Sequence, residues 1–368
     1  MAIVYLHIGS PKTATSTLQH VLARNYERLL QDGVLYPRDM RNGDAHHLLA
    51  CDLIEKYQGN PMPDIWYGSQ PRAQAWKSLL AEIDLHKNNI HSVVISSELF
   101  FPQINNIDSM LEQVCDYLHG HEVRVIAYLR RQDQLYSSFY NQDVKGLRQW
   151  PHSAYQFYET HQIFLQDYYT LLNSWGDVFG RRQIIIRPFE VEQWVGGDII
   201  LDFCDVVGVK PLSSNYRQNE DSLGVTQLYL KQCLNKVGFD KSQNEEVLKI
   251  IFKICPEQPE KDCLYVHAGL YRKYRDNWRH ANRSLEAEYL GGRSLFSQCI
   301  PEAKDLSMYK VDKYKVSGYA RDMFRVFGKG KYPQYRILFA KATLMMLAEQ
   351  DLWHALQPEE RTVLLGWI

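Results

Sequence analysis

Ile3-Val4-Tyr5-Leu6-His7-Ile8-Gly9-Ser10-Pro11-Lys12-Thr13-Ala14-Thr15-Ser16-Thr17-Leu18-Gln19 opens the chain, and its reading decides the fold. Ile3 to Ile8 is a short apolar run stopped by Gly9, the signature of a buried strand. Gly9-Ser10-Pro11 reads as a turn. From Lys12 onward, small hydroxylated residues open a helix whose apolar stripe runs through Leu18, Val21, Leu22 and Leu29. A strand, a tight loop and a helix in that order aim backbone N–H groups and the positive helix end at one point. That point is an anion site, to which Lys12 and the Thr/Ser hydroxyls add donors. The bland alternative is a strand–turn–helix corner with a surface lysine.

The loop does not follow G-x-x-x-x-G-K-[ST], because Lys12 comes three residues after Gly9 and no Gly-Lys-Ser/Thr follows. Lys12-Thr13-Ala14-Thr15-Ser16-Thr17-Leu18 resembles instead the 5′-phosphosulfate loop of sulfotransferases that use PAPS (3′-phosphoadenosine-5′-phosphosulfate), usually Lys-Thr-Gly-Thr-Thr-x-Leu. Ser16 keeps the hydroxyl of the usual threonine. Ala14 in place of glycine implies a backbone without positive φ there. The resemblance makes Ser10, Pro11, Lys12, Thr13, Ala14, Thr15, Ser16 and Thr17 the residues that hold the 5′ end of the donor.

A second motif follows the strand Val123–Leu129. Arg130-Arg131-Gln132 leads into a helix that carries Ser138, eight positions after Arg130, and Tyr140. A guanidinium and a hydroxyl so spaced suit one phosphate, since arginine presents a planar, permanently charged donor fork. The pattern resembles the 3′-phosphate element of the same sulfotransferases. The family often has proline where Gln132 stands, which leaves Arg131 open as the ligand; Arg130 is chosen because Ser138 and Tyr140 then fall in register. The resemblance spans about residues 1–300. Within it, Tyr216-Arg217-Gln218-Asn219 resembles a late nucleotide-contacting loop of bacterial members, with Arg217 as the contact. The competing reading is a helix start capped by Asp221 or Ser222.

Ser92–Ser97 reads as another buried strand and ends at Glu98, before Leu99-Phe100-Phe101. In open α/β sheets ligands sit beyond the carboxyl ends of strands, and a partly desolvated carboxylate there suits a general base. The resemblance gives Glu98 that role; a solvent-facing acid is the alternative. His46 and His47 follow a polar loop. The favoured reading is a helix start capped by Asp44 with both rings exposed. Contact with the acceptor, and a base role for His46 or His47 in place of Glu98, stay open, because an acceptor-side segment commonly follows the first helix in the family.

The 368 residues allow two domains, and 45% hydrophobic with 23% charged residues describes a globular chain with ample core. Net charge is −1, which argues against bulk nucleic-acid binding. Seven cysteines, an odd number with no C-x-x-C, argue against a zinc site or disulfide framework and for a reducing compartment. No signal peptide and no apolar run of about 18 residues is evident, so a cytoplasmic location without a transmembrane segment is expected. Aromatic residues from Tyr155 to Trp175 read as helical core. After Asp305, basic and aromatic residues interleave, as in Lys310, Lys313, Arg321 and Arg325 with Tyr309, Tyr314 and Phe324. That stretch is a solvated helical face or a surface for an anionic partner.

The expected architecture is α/β: a central, mainly parallel sheet flanked by helices (a P-loop-like sulfotransferase fold) over residues 1–304, with a helical extension over 305–368. The resemblance implies sulfuryl transfer from PAPS to a hydroxyl or amine, first of all on a glycan, with no metal. A nucleotide-dependent kinase or a non-catalytic nucleotide- or glycan-binding protein is the alternative. Oligomeric state is not legible.

Overall fold

The computed structural model describes residues 2–59, 61–101, 107–161, 167–212, 222–256, 268–302, 313–328, 330, 332–349 and 351–368. Its centre is a five-stranded sheet of β1 (Ile3–His7), β2 (Val34–Leu35), β3 (Ser92–Ser96), β4 (Glu122–Leu129) and β5 (Ile184–Pro188) in the order β2-β3-β1-β4-β5. Every pairing is parallel. Parallel sheets need crossovers that cover both faces, so their strands read as unbroken apolar runs rather than alternating ones. That is why consecutive residues are buried in β1, β3 and β4: Val4-Tyr5-Leu6, Val93-Val94-Ile95 and Val125-Ile126-Ala127. The α/β architecture with flanking helices expected from the sequence is present.

Two compact units divide the chain: Met1–Gln132 with Ile163–Asn219 and Tyr274–Ile300, and Asp133–Gln162 with Glu220–Lys273 and Pro301–Ile368. The first holds the sheet. The helix Thr15–Arg24 buries Leu18, Val21 and Leu22 against Tyr5, Tyr128 and the helix Ile199–Val207. The second is helical. Helices Val225–Val237, Asn244–Ile254, Lys313–Gly328 and Arg336–Glu349 share one core that includes Leu230, Ile251, Met323 and Phe339. The C-terminal helices therefore share a core with helices from earlier in the chain. In the same unit, burial pushes the Lys231 ammonium down to about 7. Its Nζ donates to the Val144 carbonyl at 3.2 Å.

Most expected elements lie within a residue or two of their observed ends. The aromatic stretch from Tyr155 is two helices, Ala154–Thr160 and Tyr168–Phe179, and Phe157, Tyr158 and Tyr168 are core as expected. No helix among the described residues is long and apolar enough to cross a membrane.

One buried carboxylate ties β4, β5 and a covering helix. Asp202 is fully buried and accepts from the Tyr128 hydroxyl at 2.7 Å, from Arg187 Nε at 3.0 Å and from the Val195 N–H at 3.0 Å. The pairing raises the Arg187 guanidinium above its usual value. Removing one partner of such a set leaves the other charge buried and unanswered. Asp202→Ala is therefore expected to lower unfolding free energy by about 3–5 kcal/mol in urea titration; a loss under about 1 kcal/mol would contradict this account.

Candidate functional site

β1 sits between β3 and β4, and the chain leaves β1 toward β2 but leaves β4 toward β5. The connections diverge between β1 and β4, and such a switch point opens a crevice beyond the strand ends. The first loop and Arg130 emerge there.

The loop starts as a continuation of the sheet. Ile8 N–H donates to Ile126 O at 3.0 Å and Ser10 N–H to Tyr128 O at 3.0 Å. It then turns sharply. Gly9, Lys12 and Ala14 all have left-handed backbones, with φ of 77°, 65° and 57°. The expectation of an ordinary backbone at Ala14 is thus corrected: the loop takes the left-handed turn that glycine makes freely and alanine makes under strain. Left-handed residues at these steps curl successive N–H groups toward one side, as in anion-binding nests.

Ala14 also stands at the N-cap of the helix Thr15–Arg24 and has no side chain to cap it. The first N–H groups of that helix thus lack both an intrahelical acceptor and a side-chain cap. Two hydroxyls in the loop are spent on closing it: Thr13 Oγ1 donates to Ser10 O at 2.5 Å and Ser10 Oγ to Pro11 O at 3.1 Å. Both side chains are fully buried. Ser16 is exposed, and Lys12, Pro11 and Thr17 are half-buried.

Arg130 reaches this loop. Its Nη1 donates to the Lys12 carbonyl at 3.2 Å, its guanidinium lies 5.6 Å from the Phe189 ring centroid, and its own carbonyl accepts from Tyr168 Oη at 2.7 Å. Arg131 turns elsewhere, with Nη1 3.4 Å from Gln298 Oε1. Ser138 is half-buried in the helix Gln132–Lys145, within the second unit. Arg217 lies outside the described residues.

Glu98 stands at the end of β3, directly against the loop. A Cβ on Gly9 would come within 2.9 Å of Glu98 Cβ and 3.3 Å of its Cα. Glycine is required at that position twice over, by its φ and by this approach. Gln19 holds the carboxylate and His47 faces it. Gln19 Nε2 donates to Glu98 Oε2 at 2.9 Å and to Ser96 Oγ at 3.2 Å. His47 Nε2 lies 3.9 Å from Glu98 Oε1. Gln19 is missed by sequence reasoning; its signal is a polar residue next to Leu18 on the inward side of an otherwise apolar helix face.

The two histidines are buried, not exposed, and the helix begins at His47 with His46 at its N-cap; Asp44 instead binds His20 Nδ1 at 2.9 Å. Both His46 nitrogens are engaged. Nδ1 accepts from Ser96 N–H at 3.1 Å and Nε2 donates to Pro37 O at 2.9 Å. No ring nitrogen is left for a substrate, so His46 is a strut between the β3 end and the 37–46 loop. His47 Nδ1 pairs with Ser97 Oγ at 2.9 Å, and Ser97 Oγ already accepts from Leu99 N–H at 3.3 Å. The other ring nitrogen, Nε2, faces Glu98. Burial lowers the His47 pKa below its usual value, while the Glu98 carboxylate pulls the other way. The Trp66 ring meets His47 edge-on at 5.2 Å.

No family model matches the chain. Over 209 residues it is 25% identical to an uncharacterized protein of Archaeoglobus fulgidus, an alignment covering 55% of each. The chain thus spans about half the length of that curated relative. Among solved structures, it is similar to the crystal structure of a sulfotransferase from Alicyclobacillus acidocaldarius, with 14% identity and a TM-score of 0.40 over 67% of this chain and 95% of that one.

Two outcomes follow from the geometry. Ala14→Gly should relieve the left-handed strain and raise stability by about 1 kcal/mol, while Gly9→Ala should lower it through the contact with Glu98; chemical denaturation reads both, and the opposite order would contradict the loop's geometry. Burial lowers the pKa of His7 and of His46 to about 3. Both folded values lie below the usual 6.5, so the unfolded chain binds more protons. The stability is complete above pH 6.5 and is lost as pH falls from there toward about 3. His46→Gln should remove up to about 1.4 kcal/mol per pH unit from that slope, read from urea midpoints on the acid side of pH 6.5, where the unfolded imidazole is protonated.

Proposed function

We propose that this chain is a PAPS-dependent sulfotransferase acting on a hydroxyl or amine of an acceptor, with a glycan the first candidate. The observation that carries the reading is the bond from Arg130 Nη1 to the Lys12 carbonyl. It joins the two motifs that resemble the phosphate-binding elements of these enzymes. A donor with phosphate groups at its 5′ and 3′ positions needs two linked anion sites, and this pairing supplies them.

In the proposed reaction the acceptor oxygen attacks sulfur in line with the bridging S–O bond. That bond breaks, its electron pair stays on the 5′-phosphate oxygen, and PAP (3′-phosphoadenosine-5′-phosphate) departs. Glu98 takes the acceptor proton. The loop N–H groups and Lys12 stabilise the charge that develops on the departing oxygen. Arg130 takes the 3′-phosphate and fixes the nucleotide's register. The Gln19 amide holds the Glu98 carboxylate, which limits the geometries it samples. No covalent intermediate on the protein is needed, so positioning and electrostatics carry the rate, as in phosphoryl transfer. Charge compensation comes from Lys12 and the helix end.

Calorimetry and turnover test the reading together. PAP should bind more tightly than ATP with Mg²⁺, and Arg130→Ala should weaken PAP by about 2 kcal/mol, the worth of a charge-assisted pair. Preference for ATP–Mg²⁺ would favour a kinase instead. Glu98→Gln should cut kcat by at least about 100-fold with PAP affinity nearly unchanged, as expected for loss of a general base. Gln19→Leu should produce a smaller loss, about tenfold, also in kcat. Full activity in Glu98→Gln would remove Glu98 from the chemistry.

A further inference from the structure

Along the helix Ala268–Tyr289, Arg279, Asn282, Arg283 and Glu286 recur at spacings of three and four and so share one face. The segment Ser294–Ile300 lies against that face and forms with it a pocket of about 380 Å³ that is partly open to solvent. All the lining residues belong to the first unit, and none belongs to the loop between Gly9 and Thr17. Phe296 and Ile300 supply an apolar wall; Asn282, Ser294 and Gln298 supply neutral polar groups.

The walls are pinned in place. Arg279 Nη2 donates to Ile300 O at 2.8 Å, and Leu295 N–H donates to Glu286 Oε1 at 2.8 Å. From outside, Ser297 N–H donates to Glu190 Oε2 at 2.7 Å and Gln193 Nε2 to Leu295 O at 3.1 Å. Asn282 and Gln132, both buried, exchange amide bonds of 2.7 and 3.2 Å. A cavity so fixed is pre-formed, and its volume falls within the roughly 300–1,000 Å³ of small-molecule sites.

Its charge is lopsided. Two guanidiniums face one carboxylate, and one oxygen of that carboxylate already accepts a backbone N–H. Arg283 has no ion pair or hydrogen bond among the described residues, and its planar fork suits a bidentate oxyanion. We propose that this cavity binds a small molecule through a carboxylate or phosphate group seated on Arg283, with the apolar wall taking the body of the molecule. The inference stands apart from the sulfotransferase reading and needs no turnover to test.

Cys299 lines the cavity and its thiol is exposed; Cys115, exposed on the helix Ile107–Tyr117, serves as an internal reference. The full-length protein is alkylated with iodoacetate or iodoacetamide, and each cysteine is followed by peptide mass spectrometry. The positive cavity should concentrate the anionic reagent, so that the iodoacetate-to-iodoacetamide rate ratio at Cys299 drops about fivefold or more in Arg283→Ala and survives in Arg283→Lys. Inorganic phosphate or malonate should slow alkylation of Cys299 saturably and leave Cys115 unchanged. Protection by phosphate alone identifies a phosphate ligand; protection by malonate alone identifies a carboxylate. Equal protection by sodium chloride at matched ionic strength, or protection unchanged in Arg283→Ala, would overturn the site. Full protection of Cys299 by PAP would overturn its independence from the loop site.

Discussion

The bond from the Arg130 guanidinium to the carbonyl of Lys12 is the contact on which the site depends. It lies where the connections of β1 and β4 diverge. It also gives Lys12's left-handed backbone an external partner. A hydrogen bond from a charged donor contributes about 1.5–3 kcal/mol, enough to offset the strain of one non-glycine left-handed residue, about 1–2 kcal/mol. The loop's shape and the arginine's direction are therefore one structural decision. The first helix follows from it: Ala14 in the N-cap position supplies no side-chain cap to the positive pole.

A second constraint sets the opposite wall. Gly9 lets the β3 end approach so closely that Glu98 packs against the loop backbone. Gln19, on the helix that the loop opens, then reaches the same carboxylate. The anion loop, the helix and the carboxylate form one assembly, held from behind by Ser96 and by His46, whose ring ties the β3 end to Pro37. In the proposed reaction this assembly would set a proton acceptor, Glu98, next to the loop that takes the leaving anion.

Much of this was legible in the sequence, because apolar runs of strand length ended at residues with no place inside a sheet. Gly9, Glu98 and Arg130 each mark such an end, and parallel pairing in the observed order gathers them. Other features were not legible, for reasons that are local and physical. Ala14 misled because residue type reports a preference for φ, whereas here the loop's other bonds impose it. His46 and His47 misled because Asp44 looked like a helix cap; its carboxylate is taken by His20, and the chain runs on to start the helix with buried rings. Gln19 was hidden by its own helix, where one amide among apolar neighbours gives no period of its own. The C-terminal helices were readable as helices, but their sharing of a core with residues 222–256 depends on long-range packing that no local pattern encodes.

A crystal structure of the protein with PAP tests the central claim most directly. The account predicts the 5′-phosphate on the backbone N–H groups between Lys12 and Thr17, and the 3′-phosphate on the guanidinium of Arg130. Nucleotide bound away from that crevice, or a loop left empty while PAP occupies another part of the molecule, would contradict it.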